Sequence, residues 1–419
     1  MIKGNNMKYK IINLLLSLGL MTSSCLATET NPSLHGFGTL GIAYQDNDEV
    51  LYRNSLNTKE GTQGDFSFAN YSSFGLQLDL QVGEKISLTA QGIASENNSN
   101  AKLLELSWLN AKYKFNDNTS IRIGKMRIPT FMYSDILNVS YSYDWIRLPD
   151  MYSILPFNNY TGVELNHDID FNDITIMSTA LYGEAESDIY STSSNNQIFK
   201  NTLTANKLYA LKFKLLYDNL TLRAGYSDYR VTFLNKEVNT ALSGLNALGV
   251  PLISQEINKY NIDNASGKYL NIGAKYDFKH SYLVAEYMEA NNDSFLADNR
   301  SWYVGTGYNF ENWSPYILYS NVNSRKDYKN IQINNDMSPE TVGAINMSNY
   351  VLSSISKEVI AIKLDTISIG LRYNLSENSL LKLQYDRQKE KKDNRLNFRF
   401  SEKQSVSLDV FSAAISFVF

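Results

Sequence analysis

Basic side chains that are each flanked on both sides by apolar residues recur along the chain. Alternation of this kind places the charges on one face of an extended segment and the apolar residues on the other. A row of cations facing water could attract anions and filter ions, as rings of charged side chains do in pores. The candidates for such a surface are Lys112, Lys114, Arg122, Arg223, Lys275, Arg372 and Lys382.

The histidines are too few and too scattered to suggest catalysis. Hydrolytic triads and most zinc sites need histidine, and the chain has only His35, His167 and His280. The strand pattern described below places them at a strand start, a strand end and a turn. The sequence therefore predicts no enzymatic activity, no metal and no cofactor. A formal net charge of -4 also argues against a nucleic-acid partner, which favours a strongly basic surface.

The first 27 residues have the three regions of a secretory signal peptide. Three lysines among the first ten residues precede the apolar run 11–21, and small residues lead to Ala27, after which we expect cleavage. A membrane anchor is a weaker alternative because the run is too short to span a bilayer. Lipidation of Cys25 is another, although Thr22 replaces the usual branched aliphatic residue. Cleavage would remove three lysines and no acidic residue, leaving a net charge of -7 and no cysteine.

Apolar and polar residues alternate with period two through most of residues 34–419, which indicates strands. Short polar turns such as 83–85 alternate with long polar connections at 47–64, 184–206, 230–266 and 323–358. The pattern predicts about sixteen strands, near residues 34–45, 68–82, 86–95, 103–115, 119–127, 160–167, 174–183, 207–217, 220–229, 268–278, 281–290, 300–310, 314–322, 360–373, 379–387 and 405–419.

Tyrosine and phenylalanine end many of the apolar faces beside the short turns, as in the interfacial girdle of a membrane barrel. No apolar stretch reaches the ~18 residues that a spanning helix needs. We therefore predict one all-β domain, residues 28–419, that forms a transmembrane antiparallel β-barrel rather than a soluble sandwich or β-helix. The basic candidates then face the lumen, since Lys or Arg facing lipid near the midplane costs ~2–4 kcal/mol.

Three segments resemble Gram-negative outer-membrane porins of the sixteen-stranded trimeric general or anion type. They are His35–Gly41, Ser120–Pro129 and the terminal Phe419. The resemblance implies a water-filled outer-membrane channel for passive diffusion of small hydrophilic solutes and ions. It also implies a homotrimer in contact with outer-membrane lipid and lipopolysaccharide, and that the barrel-assembly machinery reads Phe419.

The same resemblance implies that the third extracellular loop folds into the barrel and narrows it. The connection Ile128–Asn159 fits that loop, and Asp135, Asp144 and Asp150 are its acidic candidates opposite a basic wall. These carboxylates could instead cap turns in a surface loop. The excess of basic residues in the lumen predicts a weak anion preference, although acidic loops could attract cations to the mouth.

A closed barrel that acts as an adhesin or receptor through its long extracellular loops is the alternative function. A plugged transporter is less favoured, because only about six residues precede the first predicted strand of the mature chain. A substrate-specific channel would differ from a general one only at the constriction.

Overall fold

The computed structural model describes residues 30–48, 50–59, 61–68, 71–95, 103–192, 198–260, 262–294, 298–324, 330–358, 363–390 and 407–419. The predicted signal peptide lies outside the described residues. None of the helices in these ranges is both long and apolar enough to cross a membrane.

One antiparallel sheet closes on itself to form a barrel. Sixteen long strands pair with their neighbours in chain order, and the last pairs with the first, from Phe37 opposite Val418 to Gln45 opposite Val410. A two-residue strand, β2, adds to the end of β1. The strands are β1 (Thr30–Gln45), β2 (Phe66–Ser67), β3 (Ser73–Val82), β4 (Ile86–Ser95), β5 (Leu104–Lys114), β6 (Thr119–Arg127), β7 (Asn159–Phe171), β8 (Ile174–Thr192), β9 (Ile198–Tyr217), β10 (Leu220–Leu234), β11 (Ala265–Asp277), β12 (Ser281–Asn292), β13 (Asn299–Tyr308), β14 (Trp313–Ser324), β15 (Lys363–Ser376), β16 (Ser379–Glu390) and β17 (Ser407–Val418).

Every strand predicted from the alternation is present, so the predicted barrel is confirmed. Short turns join the strands at one end of the barrel, and long connections join them at the other. We number the long connections in chain order: L1 (46–72), L3 (128–158), L5 (235–264) and L7 (325–362) are the ones discussed below.

The prediction of a long polar connection at 184–206 was wrong. β8 continues to Thr192 and β9 begins at Ile198, with a register shift between Gly183 and Ala185. Because these extensions lie beyond the nine to eleven residues that a tilted strand needs to cross the bilayer, their outer face needs no apolar side chains. A polar composition there does not prevent backbone pairing.

Apolar side chains cover the outer surface of the barrel. Leu76 and Leu78 on β3 are exposed, as are Leu283 on β12 and Ile317 on β14. Aromatic pairs form a band beside the short turns, as predicted, including Tyr276 with Phe278 (ring centroids 4.7 Å apart), Tyr308 with Phe310 (4.5 Å) and Trp313 with Tyr373 (4.3 Å). The outer surface therefore matches a membrane-spanning barrel.

Gly36 and Phe419 join the first and last strands at the barrel seam. The Gly36 amide donates to the Phe419 carbonyl at 2.8 Å, and the Phe419 amide donates back at 2.9 Å. A Cβ at position 36 would lie 2.0 Å from the Phe419 ring, so glycine leaves room for the ring in this orientation and any other residue would make it move.

In the part of the chain that the structure describes, three α-helices lie in connections that the sequence pattern treated as irregular. L5 contains α1 (Lys236–Asn246) and α2 (Pro251–Tyr260), and L7 contains α3 (Pro339–Glu358). Asn235 caps α1 by accepting a hydrogen bond from the Val238 amide, and a proline begins each of the other two helices. The helix-start signals were therefore present in the sequence.

These helices pack into a hydrophobic core inside the barrel, toward the long-loop end and against inward side chains of β8–β15. The inward faces of β12 and β14 are apolar here because they contact loops rather than water. We call this cluster the lumen core; its fully buried members include Met151, Ile253, Val284, Met288, Val322, Ile345 and Leu352.

Candidate functional site

L3 folds into the barrel, as the resemblance to porins implies, and Lys382 of β16 holds it there. The Lys382 side chain is fully buried, and its Nζ donates to the L3 carbonyls of Tyr143 at 2.6 Å and Trp145 at 2.8 Å. It also contacts Ser140, whose hydroxyl lies 3.2 Å from that of Ser416 on β17. L3 therefore crosses the lumen and attaches to the far wall.

Glu286 of β12 is a second anchor for L3. Its buried carboxylate accepts hydrogen bonds from the Met132 amide at 2.8 Å and the Tyr152 hydroxyl at 2.7 Å, both on L3. Tyr303 on β13 donates a third at 2.8 Å, and Asn271 on β11 donates a fourth at 3.3 Å. These four hydrogen bonds offset part of the cost of burying the carboxylate.

Asp150 belongs to a third anchor and is only 1% exposed. Its carboxylate lies 2.6 Å from Arg147 Nη2 and accepts a bond from Ser320 on β14 at 2.8 Å. Arg147 also lies 3.7 Å from Asp386. Burial alone would lower the pKa of Arg147, but the carboxylates of Asp150 and Asp386 outweigh burial and raise that pKa. This buried position differs from the predicted one facing a basic wall, because Asp150 turns toward a cation of its own loop.

Asp144 lies beside a polar cavity of about 370 Å³ on the short-turn side of L3. Its carboxylate is 3.3 Å from Arg372 Nη1 on β15. Lys275 and Asp277 on β11 border the same cavity and form an ion pair at 2.7 Å. Two of the basic candidates, Lys275 and Arg372, thus come together here with one acidic candidate.

Asp135 lies on the other flank of L3, and its side chain is 60% exposed. Its carboxylate is 3.3 Å from Lys212 Nζ on β9. Water reaches this side chain inside the barrel, but the surrounding protein still desolvates it in part and would alone raise the pKa of Asp135. Lys212 and Arg223 outweigh that effect and leave the pKa below its ordinary 3.8. Arg223 is itself buried and donates to the Pro129 carbonyl at the start of L3.

A second polar cavity, of about 350 Å³, lies between L3 and β5–β9. We call it the basic cavity, because six basic and four acidic side chains line it. Arg122 is partly neutralised by an ion pair with Glu164 on β7. The charged lining residues are Lys112, Lys114, Arg122, Arg127, Lys212 and Lys214 with Asp117, Asp135, Glu164 and Asp168.

The seven basic candidates therefore fall into three groups. Lys112, Lys114 and Arg122 line the basic cavity, Lys275 and Arg372 line the cavity beside Asp144, and Arg223 and Lys382 are buried against L3.

L1 forms a strap across the long-loop end of the barrel, which the sequence did not predict. The strap is residues 50–59, and its Leu56 carbonyl accepts a bond from the Tyr190 amide on β8, six strands around the ring from β1. Asn57 donates to the Ser187 hydroxyl at 2.7 Å and the Asp188 carbonyl at 2.9 Å. Burial of Arg53 within the strap lowers its pKa to about 10.

The anchors share a signal that the sequence could have provided. Glu286, Asp386 and Lys382 are charged residues on the inward face of strands whose other inward positions are mostly apolar or uncharged. Such a charge needs a partner, but the alternation does not identify it. The partners on L3 lie more than 130 residues away in the chain.

A closed membrane-spanning barrel with a long loop folded into its lumen defines a channel-forming class of outer-membrane protein. Residues 15–393 match the family model described as Gram-negative porin, and the chain belongs to that family. The family and the fold together support an outer-membrane location.

Solved outer-membrane barrels share this fold at low sequence identity. The outer membrane channel DcaP of Acinetobacter baumannii is 11% identical with a TM-score of 0.54, over 93% of this chain and 97% of that chain. The trimer form of OmpT of Vibrio cholerae is 11% identical with a TM-score of 0.53, over 93% and 99%. OmpF of Salmonella typhi, in complex with daunomycin, is 12% identical with a TM-score of 0.52, over 93% and 97%. No curated protein matches the chain.

Proposed function

We propose that this porin forms a water-filled channel for passive diffusion of small hydrophilic solutes and ions, with a weak preference for anions. The observation that carries the proposal is the basic cavity beside L3, where basic side chains outnumber acidic ones. A lining of one prevailing sign raises the local concentration of counter-ions and favours their passage.

Side chains of opposite charge border this cavity on different sides, so an electric field would cross it. Asp135 on L3 faces a lining that includes Lys112 and Lys114 on β5. A field between L3 and the wall would orient polar solutes and disfavour apolar ones. We propose Asp135 as the acidic residue of the constriction, Asp144 as its counterpart in the neighbouring cavity, and Asp150 as an anchor.

The proposed role is transport without catalysis, cofactor or nucleic-acid partner. His167 lies at the short-turn end, where its ring nitrogen is 2.9 Å from the Thr119 hydroxyl, and His280 lies in a turn. Within the described ranges, no group of three or more His, Cys, Asp or Glu side chains is placed to hold a metal ion.

We also propose the assembly that the sequence suggested. Residues 1–27 would be a cleaved signal peptide, and residues 28–419 would form one barrel in contact with outer-membrane lipid and lipopolysaccharide. Phe419, at the end of the closing strand, would be read by the barrel-assembly machinery. A homotrimer is supported by the fold shared with the trimer form of OmpT.

The test is to reconstitute the purified protein in a planar bilayer and record single-channel currents in a potassium chloride gradient. We expect stable ohmic steps that close in threes and a reversal potential of the sign for anion preference. A reversal potential of the opposite sign, which indicates cation preference, would reject the anion preference but not the proposal that the protein is a channel.

The closed barrel that binds through its loops remains the second candidate, because the L1 strap and the lumen core occupy the long-loop end. Absence of current from protein verified as folded would reject the open channel and favour this candidate.

A further inference from the structure

A third polar cavity, of about 180 Å³, lies toward the long-loop end of the lumen, between L1, L3 and the inner face of β1, β3 and β4. We call it the neutral cavity, because ten of its lining residues are serine, threonine or asparagine. It shares no lining residue with the basic cavity. Its volume corresponds to about six water molecules at ~30 Å³ each, which is enough for one monosaccharide or small polyol.

Arg147 is the one charged residue among the described residues that line the neutral cavity. Its buried guanidinium lies 2.6 Å from Asp150 and 3.7 Å from Asp386, so two carboxylates offset its charge. An ion in this cavity would therefore gain little Coulomb attraction in return for the hydration water that it loses. The neutral cavity favours uncharged polar molecules over ions.

Several uncharged side chains of the lining have polar groups that a solute can reach. Ser73 on β3 faces the lumen, because the next residue, Phe74, is exposed on the outer surface. Ser73, Asn138, Ser153 and Asn158 are half-buried, and their side chains form no hydrogen bond with the described residues. Their polar atoms are not enclosed by protein, so they are accessible to water or to a solute.

We propose that the neutral cavity binds uncharged polyhydroxylated solutes, such as a monosaccharide. Each hydroxyl of such a solute both donates and accepts hydrogen bonds, and serine hydroxyls and asparagine amides offer both kinds of partner. The solute would bond to Ser73 on the wall and to Asn138 and Ser153 on L3. The inference deepens the proposed function, since it names a class of solute for the channel and the part of the lumen that this class uses.

The experiment uses two probes, methyl β-D-glucopyranoside and methyl β-D-glucuronide, which differ only in that a carboxylate replaces one hydroxymethyl group. Binding to the purified protein in lipid nanodiscs is measured by saturation-transfer difference NMR, and the signal from nanodiscs without protein is subtracted. We expect saturable binding of the glucoside to the wild type. The glucuronide is an anion, which we expect to bind in the basic cavity instead.

Ser73→Ala and Asn138→Ala should each weaken glucoside binding about three- to tenfold, the factor for one lost hydrogen bond, and leave glucuronide binding within about twofold. Ser73→Phe should abolish saturable glucoside binding by filling the cavity, and Asn138→Trp is a second filling variant, on L3. The matched control is Ser87→Ala, on the lumen face of β4 beside the short turn and outside the cavity, which should change neither probe.

Absence of saturable glucoside binding to the wild type, or binding that survives in a folded filling variant, would overturn the site. Equal weakening of both probes by Ser73→Ala and Asn138→Ala would overturn the preference for uncharged solutes. Conductance of the wild type is recorded in parallel. Current without glucoside binding would reject this site alone, whereas glucoside binding without current would support the site and reject the open channel.

Discussion

Two sides of the lumen carry the same apolar band facing lipid but differ inside. On the β10–β16 side, the wall packs against L3, L5 and L7 in most of the lumen core, and the inward charges of Arg223, Glu286, Lys382 and Asp386 are buried, while Lys275 and Arg372 line the cavity beside Asp144. On the β5–β9 side, the inward charges line the basic cavity. The difference shows how one loop gives a uniform barrel a closed side and a side with charged walls.

The position of L3 follows from both kinds of interaction. Its apolar side chains, such as Trp145 and Met151, are buried in the lumen core, and burying such side chains is worth roughly 1.5–3 kcal/mol each. Its backbone carbonyls and amides find Lys382 and Glu286 on the same side. L3 therefore leans toward β12–β17 and leaves the basic cavity beside its other flank.

Among the changes that test this difference between the two sides of the lumen, reversing charges in the basic cavity should have the largest effect. The triple variant Lys112→Glu, Lys212→Glu and Lys214→Glu would change its lining from mostly basic to mostly acidic. We expect the reversal potential in a salt gradient to change sign, from anion to cation preference.

The matched control for the charge reversal is Lys268→Glu, an exposed residue on the outer face of β11, which should leave the sign unchanged. If the triple variant also kept the wild-type sign, ions would pass outside the basic cavity, and the two sides would have to be reassigned.

Removing an anchor should test the closed side. Glu286→Ala would leave the Tyr152 and Tyr303 hydroxyls and the Met132 amide without their buried acceptor. We expect the free energy of unfolding to fall by about 3 kcal/mol and the channel current to become noisier as L3 detaches. Denaturant unfolding and single-channel recording measure these two effects.

Glu289→Ala is the control on the same strand. Glu289 pairs with Arg300 near the exposed rim, so the stability should stay close to that of the wild type. Equal effects of the two variants would show that Glu286 does not hold L3.

Loosening the L1 strap should have a smaller, local effect. Asn57→Ala removes two hydrogen bonds to β8, so the amide of Tyr190, which donates to Leu56, should exchange with solvent about tenfold faster. Hydrogen exchange with mass spectrometry measures this rate. Asn118→Ala, at the short-turn end, should not alter it; an unchanged rate in Asn57→Ala would argue against the strap.

The smallest expected effect is a change of selectivity with pH. The positive charges of Lys212 and Arg223 keep the pKa of Asp135 below 3.8, so it should remain ionised from pH 7 to pH 5 and lose its charge only at lower pH. Anion preference should therefore be constant over that window and increase below it. Reversal potentials measured across the pH range test this.

Lys212→Met removes one of those charges, so the pKa of Asp135 should rise and the increase in anion preference should begin at a higher pH. Asp135→Asn is the control that lacks the titrating group. A pH dependence that persists unchanged in this control would belong to another carboxylate.

The sequence by itself determined the parts of this protein that depend on neighbours in the chain. Successive side chains of a strand point to opposite faces of the sheet, so alternation in the sequence could predict the sixteen strands, the lipid face and the aromatic band. The starts of α1, α2 and α3 also carried local signals, in Asn235, Pro251 and Pro339, which the strand pattern obscured.

Only the tertiary structure decided which charges face water and which are buried. Asp135 and Asp150 lie on the same loop and have the same chemistry, yet one borders a cavity and the other is an anchor. Their roles depend on contacts with strands far away in the sequence, such as the pairing of Asp150 with Ser320. The alternation gives the direction of a side chain, but the free energy of its charge depends on the partner that the closed barrel brings to it.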